Sequence, residues 1–174
     1  MPSAANTPCW YASRAGNCQT LSAKRKLEQW GVQHFVPTLR TMAIRSGRKR
    51  MVEKPLAGNL VFIRGIKKDI CDLINYRGLP VHLIPDRCSN SSALVVPDKQ
   101  MEDFQRVLEF ALADNENPDI ILQAGDRVRV IAGDLLGVEG NVIEAEGCTY
   151  VSISLCGLLQ ARARIPAAFL EKIQ

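Results

Sequence analysis

A thiol beside an imidazole is a short route to nucleophilic catalysis, so the cysteines and histidines come first. The cysteines lie at 9, 18, 71, 88, 148 and 156, the two histidines at 34 and 82. No two cysteines have C-x-x-C spacing, which predicts no metal site. His34 precedes Phe35-Val36, and His82 sits within Val81-His82-Leu83-Ile84; both read as strand packing rather than as bases. No G-x-S-x-G, P-loop or G-x-G-x-x-G occurs. The expectation is a protein that is not an enzyme and uses no cofactor. The other available chemistry is electrostatic. Arg45, Arg48, Lys49 and Arg50 surround the turn dipeptide Ser46-Gly47. Such a cluster suits nucleic-acid phosphates, a contact that is blind to sequence and sensitive to salt. The plain alternative is a solvated hairpin tip, since strand edges are often blunted by Lys and Arg. No aromatic residue for base stacking lies here, which argues against a stand-alone single-strand binder.

The elements that must hold these residues follow from periodicity. The chain has 174 residues, 47% of them hydrophobic, and a net charge of +4. That suits one medium or two small globular domains, mildly basic. Residues 1–9 have no apolar core of a signal peptide, and no apolar run approaches the ~20 residues that span a bilayer. A cytoplasmic protein without membrane contact is expected, its thiols reduced and mostly structural.

Cys9–Ser13 reads as a first strand. Ala23, Leu27 and Trp30 recur at helical spacing. Val32–Leu39 reads as a strand that Pro37 marks as an edge or an end. Arg40–Lys54 reads as the basic hairpin, and the apolar run Asn59–Ile63 as a central strand. A short helix over Lys67–Tyr76 and a strand at Val81–Ile84 come next. A helix then starts at Pro97-Asp98, with Met101, Phe104, Leu108 and Ala111 on one stripe. Residues 113–119, ADNENPD, break all periodicity and read as a linker. Five strand-like pieces follow, at 121–123, 127–131, 138–145, 150–155 and 161–165, with a helical turn at 167–172. Closing a sheet on itself would make so small a unit viable. The order predicts α+β architecture, with helices packed on one face of a sheet.

The stretch Gly125–Val142, GDRVRVIAGDLLGVEGNV, alternates at Arg127–Ile131 and returns through Gly133, Gly137 and Gly140. It resembles a KOW motif, the opening of a small SH3-like β-barrel. Trp10-Tyr11, Phe35-Val36-Pro37-Thr38, Lys54-Pro55-Leu56 before Asn59–Ile63, Arg77-Gly78 and Val96-Pro97 are similar to elements of NusG-type transcription factors. That resemblance implies an NGN-type α/β sandwich over residues 1–112, a linker at 113–120 and a KOW barrel over 121–174. Ala57-Gly58-Asn59-Leu60 and Gly133-Asp134-Leu135-Leu136 depart from the general factor. Together with NLVFI, RGLP and VPDKQM they look closest to the UpxY-type paralogues of Bacteroides polysaccharide loci.

The resemblance implies a transcription antitermination and elongation factor, serving a capsular polysaccharide operon. Leu60 and Phe62 would bind the clamp of the largest RNA polymerase subunit, or else be core. Tyr11, Arg14 and Arg77 would form the rim. Arg45, Arg48, Lys49 and Arg50 would lie near upstream or non-template DNA. Asp134, Leu135 and Leu136 would contact a small-subunit ribosomal protein or Rho, although the two leucines read equally well as barrel plugs. The alternatives are a KOW-type ribosomal or RNA-binding protein, or a ribosome–polymerase adaptor.

Overall fold

The computed structural model describes residues 7–16, 18–86, 93–113, 126–145 and 148–173. They form two compact units, Met1–Pro97 and Asp98–Gln174. The first is built on β1 (Cys9–Ala15). Along its length β1 pairs antiparallel with β5, from Cys9 opposite Gly65 to Arg14 opposite Leu60. β5 (Leu60–Gly65) carries β2 (His34–Phe35) on its outer edge. Two short strands share the other edge of β1. β6 (Val81–Leu83) takes Ser13–Ala15 and β7 (Val95–Val96) takes Trp10 and Tyr11. Ala12 closes the gap, donating to the Leu94 carbonyl at 3.1 Å and accepting from the Ile84 amide at 2.9 Å.

Side chains alternate across a sheet, so each strand splits into two sets. Tyr11, Ala15, Val61 and Ile63 join Ala23 and Leu27 of α1 (Thr20–Gln29) and Ile70 of α2 (Lys67–Asn75) in one core cluster. Trp10, Ala12, Leu60 and Phe62 form the opposite set. Pro37 separates β2 from the next strand, so the single strand expected over Val32–Leu39 is broken there. Beyond it, β3 (Thr38–Arg45) and β4 (Arg48–Pro55) make a separate two-stranded arm. Its turn places Ser46 at φ 51° and Gly47 at φ 74°. Two successive left-handed residues are the type I′ geometry whose twist suits a tight hairpin.

In the second unit, α3 (Asp98–Ala113) buries Met101, Phe104, Val107, Leu108 and Ala111 and lies against β10 and β11. The strands β8 (Arg127–Val130), β9 (Glu139–Ala145), β10 (Cys148–Leu155), β11 (Leu159–Arg164) and β12 (Leu170–Lys172) form one antiparallel sheet in the order β11-β10-β9-β8-β12. Val128, Val130, Val138, Val151, Ile153, Leu155, Ala161 and Ala163 are its core. The architecture is the expected α+β unit followed by a small SH3-like barrel.

One difference from the sequence reading has a local cause. The helical turn expected at 167–172 shrinks to a 3-10 turn at Ala167–Phe169; Leu170–Lys172 pairs with β8 instead, Leu170 facing Val130. A free strand edge outbids weak local propensity. By compactness alone the chain divides after Pro97, with α3 grouped with the barrel strands. The expected strand at 121–123 and nearly all of the expected linker lie outside the described residues. Among the described residues no helix is long and apolar enough to cross a membrane.

Candidate functional site

The face of the first sheet that carries Leu60 and Phe62 is defined by strand register. Phe35 on β2 stands opposite Phe62, and Phe62 opposite Ala12 on β1. The two phenylalanine rings meet at 6.2 Å between centroids, tilted by 32°. One row along, Leu60 faces Arg14, and Arg14 faces His82 on β6. The result is an apolar floor of Trp10, Ala12, Leu60 and Phe62 with Arg14 and His82 exposed at one margin. Leu60 is 8% exposed and Phe62 fully buried, so the ring of Phe62 acts as structure wherever else it acts.

The structure does not bring the other rim candidates to this face. Tyr11 lies on the helix-covered side, opposite Ile63 and within the core cluster. Burial there pushes its phenol up, with the nearby Cys9 and Cys71 adding to the shift. Arg77 is held over the Trp30 ring at 5.7 Å, and Trp30 packs on the same helix-side core. Both placements share a cause, since proximity in a motif does not say which face of a sheet a side chain takes. His82 joins the face instead. It reads as packing from its apolar neighbours, yet it alternates outward from the buried Val81. Only the pairing of β6 with β1 sets it beside Arg14.

The basic arm has two unlike faces. Its register pairs Arg45 with Arg48, Ala43 with Arg50, Thr41 with Val52 and Leu39 with Lys54. The other face pairs Ile44 with Lys49, Met42 with Met51 and Arg40 with Glu53. Arg48, Lys49 and Arg50 are exposed and, among the described residues, meet no carboxylate. The barrel's arginines differ. Arg127 and Arg129 project outward as expected, but both pair with Glu139, at 3.2 and 2.8 Å. Of these two basic clusters, the arm's is the one with no carboxylate partner at Arg48, Lys49 or Arg50 among the described residues.

The arm is fastened at its base. Glu53 Oε1 accepts from Lys24 Nζ of α1 and from Thr38 Oγ1 at 2.6 Å. The Lys24 hydrogen bond, then that of Thr38, hold the Glu53 carboxyl below the usual carboxylate range. A depressed folded pKa adds stability that is present above the unfolded value and lost as pH falls through the folded one. Acidification below about pH 4.5 should thus loosen the arm. The protection factors of the β3 and β4 amides, which remove the intrinsic pH dependence of exchange, would fall there in the native chain. In Glu53→Gln they would already be low at neutral pH and would not fall further in acid.

In the barrel, the loop between β8 and β9 divides its two leucines. Leu135 is buried and plugs the barrel, whereas Leu136 is 57% exposed. The loop backbone is gripped by α3. Arg106 donates to the carbonyls of Asp134 at 2.7 Å and Leu136 at 3.2 Å, and Lys99 to that of Gly137 at 3.3 Å. Gln100 donates to the Ser154 carbonyl at 2.6 Å. Asp134 keeps its side chain exposed.

Comparison with known proteins bears mainly on the first unit. A family model described as "Transcription termination factor nusG" matches residues 8–105, more than half of the chain. A solved structure described as "Domain interaction in Thermotoga maritima NusG" is similar at 19% sequence identity, covering 97% of this chain and 98% of that one, with a TM-score of 0.45. No curated protein matches.

Proposed function

The chain belongs to the NusG family, and on that premise we propose that it is a specialised antitermination factor that rides on RNA polymerase and suppresses pausing or early termination. Proteins of this family are transcription factors that bind RNA polymerase. The supporting observation is that the family-matched unit joins an exposed basic arm to a sheet face margined by Arg14 and His82. In this reading Arg14 and His82 present the face toward the polymerase clamp, with Leu60 and the buried Phe62 as the floor that holds them. Arg45, Arg48, Lys49 and Arg50 lie along upstream or non-template DNA. Binding across the clamp favours the closed, elongating conformer, because a ligand shifts a population toward the state it binds better.

The finer assignments rest on the sequence. NLVFI, RGLP and VPDKQM support an UpxY-type member acting in a capsular polysaccharide operon. The polar run 113–119 supports a first domain over 1–112, a connection at 113–120 and a KOW domain over 121–174. The exposed Asp134 and Leu136 suit contact with a small-subunit ribosomal protein or Rho.

The test is a native-gel shift of a stalled bacterial elongation complex with the full chain. Arg14→Glu should weaken the shift without unfolding the protein. Neutralising Arg48, Lys49 and Arg50 to Gln should lower the slope of log affinity against log salt, by about one for each phosphate that is no longer neutralised. Absence of any shift at micromolar protein, with binding to free structured RNA instead, would replace this reading by a KOW-type RNA-binding one. A shift that leaves pausing and termination unchanged would leave only an adaptor.

A further inference from the structure

The arm that carries the cations also carries an apolar stripe on its opposite face. Met42, Ile44 and Met51 are 58, 71 and 62% exposed, three of the most exposed large apolar side chains among the described residues. Register puts all three on one side, Met42 directly opposite Met51 and Ile44 opposite Lys49. Arg45 and Arg48 flank the turn as a hydrogen-bonded pair, so pair types alternate inward from there. Ile44–Lys49 and Met42–Met51 then fall at non-hydrogen-bonded sites, where side chains approach most closely and form a continuous strip. Arg48 and Arg50 point to the other side.

A two-stranded ribbon with nothing else to bury does not gain stability from three exposed apolar side chains. They cost solubility unless something covers them. Self-association is a poor candidate, because Lys49 stands in the stripe and the acid on this face, Glu53, is already engaged by Lys24 and Thr38, so a second copy would set cation against cation. Nucleic acid is no better. Met and Ile offer no donor to phosphates or bases and no ring for stacking. The chemistry fits a protein surface that is apolar at its centre and acidic at its rim, matching the three side chains and the cations beside them. The strip is far below the area of a stable stand-alone interface, about 1,200 Å². Its partner must therefore be held in place by other contacts.

We infer that the Met42–Ile44–Met51 face is a protein-docking strip that seats against an acid-rimmed apolar patch of the RNA polymerase elongation complex while the Arg48–Arg50 face follows nucleic acid. The arm is then a wedge between protein and nucleic acid, not a nucleic-acid finger alone. This rests on the proposal that the chain binds an elongation complex.

The experiment uses the full chain on a stalled elongation complex. A photoreactive benzoylphenylalanine replaces Ile44 in one variant and Arg50 in another. The first should crosslink to a polymerase polypeptide and the second to DNA. In parallel, the triple variant Met42→Gln, Ile44→Thr, Met51→Gln should bind about tenfold more weakly with an unchanged salt slope. Neutralising Arg48 and Arg50 should instead lower the slope. These side chains are exposed, so folding should persist and is checked by circular dichroism. Crosslinking from position 44 to nucleic acid or to a second copy of the chain would overturn the inference while leaving polymerase binding intact. So would a folded triple variant of undiminished affinity. Failure of the native chain to shift the complex at all would overturn both readings.

Discussion

Phe62→Ala will lower the stability of the first unit by about 3–5 kcal/mol, the range for deleting a fully buried aromatic ring. Phe62 has no exposed surface, stands in a strand paired on both sides, and meets the Phe35 ring at 6.2 Å. Its cross-strand neighbour on β1 is Ala12, too small to fill the space the ring leaves. Both tryptophans of the chain, Trp10 and Trp30, belong to this unit, so their fluorescence during urea unfolding reports on it selectively. A lower midpoint with an unchanged slope is the expected result. A decrease below about 1 kcal/mol would show that the ring does not pack as described. The consequence for function is practical. Weaker polymerase binding by Phe62→Ala identifies an interface residue only if folding has been checked, whereas Arg14→Glu carries no such ambiguity.

Gly140→Ala should destabilise the barrel. A Cβ at position 140 would lie 2.5 Å from the Ser152 carbonyl oxygen, 2.9 Å from Val151 Cγ1 and 3.1 Å from Ile153 Cγ1. The nearest obstacle is backbone in the adjoining strand β10, which cannot rotate away as a side chain can. Overpacking of this kind costs about 1–3 kcal/mol or more. In a unit of this size each 1 kcal/mol lowers the melting temperature by roughly 4–8 °C. Amide exchange of Val151 and Ile153 is the direct measurement, and both should become less protected. Full protection in Gly140→Ala would mean that β9 and β10 stay paired around the added methyl, contrary to the 2.5 Å approach to the Ser152 carbonyl. If the barrel recruits a partner through Asp134 and Leu136, that recruitment should fall with the barrel's stability.

Much of the fold was legible because its signals are local. The stripe Ala23, Leu27, Trp30 requires only helical periodicity. The Ser46-Gly47 turn requires only two residues that tolerate left-handed geometry, and it then sets the whole register of the arm. From that register the Met42–Ile44–Met51 strip could have been read as well. It was masked by the more conspicuous cations that alternate with it. Alternation also separated Leu60 and Phe62 from Val61 and Ile63 in advance.

What alternation cannot supply is which of two faces receives the helices, since that is decided by packing between residues far apart in sequence. Hence Tyr11, adjacent to Trp10 in the chain, joins the helix-side core, and His82, flanked by apolar residues, stands exposed beside Arg14. The split between a buried Leu135 and an exposed Leu136 is of the same kind. So are the pairing of Leu170–Lys172 with β8 and the grouping of α3 with the barrel strands. The amino-acid sequence by itself determined most of the elements, the basic arm and the family. Only the tertiary structure decided which side chains share a surface, because a surface is made by contacts that no local pattern encodes.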